Sequence, residues 1–186
     1  MVLKHKVIIL DRDGIINELI CNPIHRKYND TGFGAPFPVE DFHILPGVRE
    51  AIASLQKKGY LLIIISNQPG IAQGHHKKES LDAMNGIMRT ELGIPPENIF
   101  YCMHNITSIC PCRKPKPGLI HEAAKKFHFD PKDAILIGDS WKDVAAGRAA
   151  GCRKIILIGQ STEELGKHNL IAEYCCPTLA DSINYL

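Results

Sequence analysis

A chain of 186 residues with 45% hydrophobic and 23% charged side chains can bury one core, and one domain spanning 1–186 is expected. A formal net charge of +2 is too small to argue for a nucleic-acid partner, and no apolar run approaches the ~20 residues that cross a bilayer. Residues 1–6 lack the layout of a cleavable signal, so the expected location is the cytoplasm, with a monomer as the expected state.

Short apolar runs at 7–10, 61–65, 99–101, 134–137 and 155–158 alternate with helix-like spacing at 48–58, 80–92, 119–127 and 144–150. This alternation predicts βαβ units: an α/β, Rossmann-like three-layer αβα fold with a mainly parallel sheet and no large cap domain. Gly59, Gly93 and Gly151 each follow a helical stretch, where a left-handed cap favours glycine, and Pro117-Gly118 opens the third helix.

The first strand ends in Asp11-Arg12-Asp13-Gly14, with Asn17 close behind. Two carboxylates one residue apart at the mouth of a buried strand raise each other's cost of ionisation unless a cation or proton intervenes. A solvated turn is the bland reading, and the later strand ends weigh against it. Next comes a long connection, 18–45, rich in Pro, Gly, Asn and His, whose segment 31–38 cannot be regular helix or central strand. Leaving directly after the acidic turn, it is expected to fold over that site as a specificity loop, with His25, Arg26 and Lys27 as candidates for a second phosphate or a polar sugar edge.

The second strand ends in Ser66-Asn67-Gln68 before a glycine-rich stretch, Pro69-Gly70-Ile71-Ala72-Gln73-Gly74. After the third strand, Cys102, His104, Cys110 and Cys112 offer three thiolates and one imidazole in a compact loop, a donor set that suits structural Zn²⁺ with no open position. The remaining cysteines, Cys21, Cys152, Cys175 and Cys176, read as buried or free thiols. Arg113-Lys114-Pro115-Lys116-Pro117-Gly118 follows at once, and the fourth strand leads to Gly138-Asp139-Ser140 and Asp143. Asp143 alone could be a first-turn acid favoured by the helix dipole.

Ligands bind beyond the carboxyl ends of a parallel sheet, and this inventory there suits phosphoryl transfer. A carboxylate nucleophile can form an aspartyl-phosphate, and Asp11 and Asp139 can offer hard oxygen ligands to Mg²⁺. Ser66 and the amides after it can donate to phosphate oxygens, Lys114 can neutralise growing charge, and Asp13 can act as general acid and base.

Taken together, Asp-x-Asp-Gly-x-x-Asn, Ser-Asn-Gln-x-Gly-Ile-Ala, Cys-Arg-Lys-Pro-x-Pro-Gly and Gly-Asp-Ser-x-x-Asp resemble the haloacid dehalogenase superfamily over about residues 7–160. They are most similar to its subfamily of heptose-bisphosphate and histidinol-phosphate phosphatases, in which the Cys-x-His…Cys-x-Cys loop also recurs. The resemblance implies Asp11 as nucleophile, Asp13 as acid and base, and Mg²⁺ on Asp11, the Asp13 carbonyl and Asp139. It further implies phosphate contacts from Ser66, Asn67 and Lys114, with Arg113, Asn17 and Gln68 towards the substrate.

The substrate so implied is D-glycero-D-manno-heptose 1,7-bisphosphate, cut at C7 in the supply of heptose for lipopolysaccharide, with histidinol phosphate as the alternative. Three features lean away from the heptose pattern: the long 18–45 connection, Gln73 in place of arginine, and the short spacer between His104 and Cys110. A DNA 3′-phosphatase and a silent zinc-binding scaffold are lesser alternatives. The former asks for a stronger basic face, and the latter has no use for clustered acids.

Overall fold

The computed structural model describes residues 6–27, 29, 31–159 and 162–186; the N-terminal reading, apart from Lys6, lies outside them. In chain order the strands are β1 (Lys6–Asp11), β2 (Ile20–Cys21), β3 (Phe33–Gly34), β4 (Tyr60–Asn67), β5 (Ile99–Cys102), β6 (Ala134–Gly138), β7 (Lys154–Ile158) and β8 (Tyr174–Cys176). The helices are α1 (Val48–Lys57), α2 (Lys78–Leu92), α3 (Gly118–Phe127), α4 (Trp141–Ala150), α5 (Thr162–Lys167) and α6 (Leu179–Ser182).

The main sheet runs β5-β4-β1-β6-β7-β8 and all its neighbouring pairs are parallel. Alternation along each strand divides its side chains between two apolar layers. Ile8, Leu10, Ile64, Ile135 and Ile137 face α1 and α2, whereas Val7, Ile9, Ile63, Ile65 and Leu136 face α3 and α4. Covering both faces is what permits strands of almost unbroken Ile, Leu and Val. Helix α1 buries Val48, Ala51, Ile52 and Leu55, the i, i+3, i+4, i+7 stripe of an amphipathic helix. Truncating a fully enclosed residue such as Ile64 to Ala should cost about 2–5 kcal/mol, lost transfer energy plus a cavity.

The three-layer arrangement expected from the apolar alternation is found, and Gly59, Gly93 and Gly151 have left-handed backbones. The sequence reading lacked β8, a three-residue edge strand with Tyr174 and Cys175 exposed, too short and too mixed to show a period. It also lacked the internal structure of 18–45. There β2 and β3 pair antiparallel, Ile20 opposite Gly34 and Cys21 opposite Phe33, around a 3₁₀ turn at His25–Lys27. The base is closed by Glu18 N–H to His43 O and Leu45 N–H to Ile16 O, both 2.9 Å. The connection is a hairpin flap. Among the described residues no helix is long and apolar enough to cross a membrane.

Candidate active site

The chain reverses direction in the sheet between β5 and β6, which leave on opposite sides of central β1, and the crevice opens at the carboxyl ends of β1, β4 and β6. Asp11 ends β1 beside Ile65, so Ser66 follows it on the adjoining strand. The turn after Asp11 is held by the Arg12 carbonyl, which accepts from Ile16 N (2.8 Å) and Asn17 N (3.2 Å). Gly14 is required twice over. Its φ is +84°, and a Cβ there would stand 2.0 Å from Asp139 Oδ2.

Asp11, Asp139 and Asp143 bring carboxylate oxygens within 4.8 Å of one another. Between them lies the buried Lys114 ammonium, 2.7 Å from Asp11 Oδ1 and 2.6 Å from Asp143 Oδ1. One cation cannot balance three carboxylates. Burial, then the Asp143 charge, pushes the Asp11 pKa up to about 7 despite Lys114, and burial with the charges of Asp11 and Asp143 raises that of Asp139 well above the usual range. Burial alone would lower the pKa of Lys114, but Asp11 and Asp143 together hold it above its ordinary value. The unbalanced charge and all-oxygen donors fit a hard divalent cation such as Mg²⁺, held by Asp11 and Asp139.

Asp143 was passed over as a site residue, and its first-turn reading is half the account. Its Oδ2 accepts from Ser140 N and Ser140 Oγ in a capping box on α4, while Oδ1 takes Lys114. The signal was its place in Gly-Asp-Ser-x-x-Asp.

Asp13 faces a different set. Its Oδ1 accepts from Arg12 Nε (3.1 Å), Arg12 Nη2 (2.8 Å) and Asn17 Nδ2 (3.1 Å), and Oδ2 from Ser66 Oγ (2.9 Å) and Gln68 Nε2 (2.7 Å). A carboxylate offers about four lone-pair positions, so five donors saturate it. Burial works against the charge, yet the Arg12 guanidinium and these hydrogen bonds hold the Asp13 pKa below the ordinary carboxylate value. Arg12 itself is fully enclosed, with the rings of Phe42 and Tyr101 each 5.6 Å away.

Two of these donors, Asn17 and Gln68, were expected to face the substrate. Asn17 is fully buried; its Nδ2 donates to Asp13 Oδ1 and the Glu18 carbonyl, and its Oδ1 has no partner among the described residues. Gln68 borders a cavity, but its amide nitrogen is committed to Asp13 and Ser66. Both position a carboxylate.

Asn67 Oδ1 accepts from Lys114 N (3.0 Å) and its Nδ2 donates to Lys114 O (3.1 Å), fastening the segment after the cysteines to the end of β4. Arg113 borders a cavity, but its Nη2 donates to the carbonyls of His104 and Asn105, and its buried Nε has no partner among the described residues. The four soft donors gather as the spacing suggested: Cys102 Sγ is 3.6 Å from both His104 Nδ1 and Cys110 Sγ, and Cys112 Sγ is 3.2 Å from His104 Nδ1. Tetrahedral zinc with sulfur at ~2.3 Å sets its ligand atoms about 3.5–3.8 Å apart, so both separations at Cys102 suit Zn²⁺, while that between Cys112 and His104 is shorter.

Two cavities meet over these residues. The smaller, about 230 Å³, exposes Asp11, Asp13, Ser66 and Asp139. The larger, about 360 Å³, is walled by Asn67, Gln68, Gln73 and Arg113 and by the flap residues His25 and Phe37. Phe37 docks the flap onto the glycine-rich stretch, its ring 4.7 Å from His25, 5.2 Å from His75 and 5.5 Å from His76. His25 reaches the cavity wall with its Nε2 on the Ala35 carbonyl (3.0 Å); Arg26 and Lys27 line neither cavity. Both are exposed on the 3₁₀ turn. A wider groove of about 540 Å³ between β5 and α3 holds none of the acids.

Residues 23–151 match the family described as haloacid dehalogenase-like hydrolase, and the relatives below extend the likeness across the Asp11 turn. A D-glycero-alpha-D-manno-heptose-1,7-bisphosphate 7-phosphatase of Photorhabdus laumondii is 34% identical, over 87% of each chain. A D-glycero-beta-D-manno-heptose-1,7-bisphosphate 7-phosphatase of Pasteurella multocida is 31% identical, over 95% of this chain and 94% of its own. Among solved structures, the D,D-heptose 1,7-bisphosphate phosphatase of B. bronchiseptica, complexed with magnesium and phosphate, superposes with a TM-score of 0.81 at 28% identity, over 97% of both chains.

Proposed function

The chain belongs to the haloacid dehalogenase-like hydrolase family, and from that premise we propose a Mg²⁺-dependent phosphatase that removes the C7 phosphate of D-glycero-D-manno-heptose 1,7-bisphosphate. The observation that carries the chemistry is Lys114 held between Asp11 and Asp143 at the floor of the smaller cavity. We read the whole chain, 1–186, as one catalytic unit serving heptose supply for lipopolysaccharide.

Asp11 attacks phosphorus in line, the bond to the sugar oxygen breaks, and that oxygen takes a proton from Asp13. Bound at Asp11, the Asp13 carbonyl and Asp139, Mg²⁺ would lower the cost of bringing phosphate to a carboxylate. Lys114 offsets charge on the transferring group, and Ser66 and Asn67 border it. Asp13, returned to its carboxylate form, then takes a proton from the water that cleaves the aspartyl-phosphate. In the present arrangement Asp13 is ionised and saturated with donors, which is the state of the base; the acid step needs it protonated and turned from Gln68 and Ser66.

Histidinol phosphate is the second reading, favoured by the short spacer between His104 and Cys110. Against it, among the described residues no carboxylate lines the larger cavity to meet an ammonium group. Phosphate release from both heptose bisphosphate anomers and histidinol phosphate tests the choice. A kcat/KM for either anomer well above that for histidinol phosphate is expected, and the reverse order overturns the reading.

A further inference from the structure

Ala35, Asn67, Lys114 and Lys142 line both cavities, so a substrate with its transferring phosphate in the smaller and its body in the larger passes between them. Two of the cations near this passage are already engaged. Lys114 is bound to Asp11 and Asp143, and Arg113 donates to two carbonyls of the cysteine loop. Lys142 is exposed and has no acidic partner among the described residues; its ammonium lies 6.0 Å from the Trp141 ring, a weak contact at most.

Nor does the helix account for this lysine. Lys142 is in the first turn of α4, where the unpaired backbone N–H groups already make the helix end positive, and a cation there is unfavourable. Among the described residues no carboxylate lines the larger cavity, so an ammonium swinging into it meets their amides, apolar surface and other cations. Among the described residues the larger cavity supplies no counter-charge; the carboxylates near Lys142 belong to the smaller cavity. A substrate carrying a second anion would supply one.

We propose that Lys142 binds the anionic group of the substrate that is not transferred, and so selects doubly anionic sugar phosphates over singly anionic ones. This rests on the phosphatase reading above and adds a specificity residue to it. The flap bears on the same point. Gly34 has no side chain, and a Cβ there would come within 2.6 Å of the His25 ring, so the flap can pack His25 and Phe37 closely in the lining of the larger cavity that Lys142 shares.

The test measures inhibition of p-nitrophenyl phosphate hydrolysis by heptose 1,7-bisphosphate and by heptose 7-phosphate, for the parent, Lys142→Met and Lys142→Arg. Competition reports binding whether or not the compound is turned over, so a parent that binds the bisphosphate without hydrolysing it defeats the proposed function and still tests Lys142. The parent should prefer the bisphosphate, Lys142→Met should lose about tenfold of that preference, and Lys142→Arg should keep most of it. An equal weakening of both compounds, or a preference unchanged in Lys142→Met, overturns the inference. Lys132→Met, on the exposed turn before β6, controls for the loss of one surface charge.

Discussion

The Arg12 guanidinium lies 2.8 Å from the Asp13 carboxylate in a site closed to solvent on the arginine side, although the two residues are neighbours in sequence. Adjacent side chains usually diverge at a strand end; here the turn at Gly14 folds them together. Removing one partner of a buried pair strands the other charge, so Arg12→Met should cost about 3–5 kcal/mol in urea unfolding. Adding Asp13→Asn to Arg12→Met should return part of that loss, since no unpaired charge remains. A double variant as unstable as the two losses summed would show that Arg12 acts through packing against Phe42 and Tyr101 alone.

Asp13→Asn should discriminate between leaving groups. p-Nitrophenolate departs without a proton, whereas a sugar alkoxide needs one, so loss on the sugar substrate should exceed loss on p-nitrophenyl phosphate by about a hundredfold. Parallel losses would remove Asp13 from the acid role.

Asp11→Asn should abolish turnover, because an amide cannot become an acyl phosphate, and should also change how metal-free protein responds to pH. With its pKa near 7 when folded and near 3.8 when unfolded, Asp11 keeps a proton in the folded state across that interval. Between those values the folded state binds more protons, so stability falls as pH rises from about 4 to 7. In chelator at pH 8, Asp11→Asn should therefore unfold at a higher temperature than the parent, and the gap should close towards pH 4. Mg²⁺ should raise the parent's melting temperature at pH 8 and do less for the variant.

Purified without chelator, the protein should carry about one Zn²⁺ per chain. Cys110→Ser should lower both the zinc content and the melting temperature, and Mg²⁺ should not restore either. Full-length protein free of zinc by metal analysis, with unaltered stability, would sink this reading.

Phe37→Ala should raise KM for the sugar substrate several-fold, with a smaller fall in kcat, because the flap loses its seat on His75 and His76. Limited proteolysis should cut the variant within 18–45 faster than the parent. Equal cutting and equal KM would make the docked flap a passive insertion.

The layers of the fold were legible because strands covered on both faces must be apolar throughout, and Ile63-Ile64-Ile65 could be little else. The convergence of Asp11, Lys114 and Asp139 was readable from two strand ends and the segment that opens the third long helix. Other features depended on contacts between segments distant in sequence, which no local pattern carries. Phe37 meets histidines from a stretch beginning nearly forty positions later, and the enclosure of Arg12 requires Tyr101 from β5. The contacts of Asn17 and Gln68 were hidden for a related reason: polar residues beside a catalytic turn can serve substrate or carboxylate, and the sequence does not show that both donate to Asp13.

The paired hydrogen bonds between the Asn67 side chain and the Lys114 backbone imitate one rung of a β-ladder, with an amide side chain standing in for a neighbouring strand. On its backbone side Asn67 already pairs with Cys102 of β5. One residue thus joins both ends of the cysteine loop to the sheet, at its first ligand and after its last. In hydrogen exchange the Lys114 amide should behave as a strand amide within a loop, slow while both anchors hold. Asn67→Ala should release it to the rate of an open turn, uncoupling the lysine from the sheet that aims it.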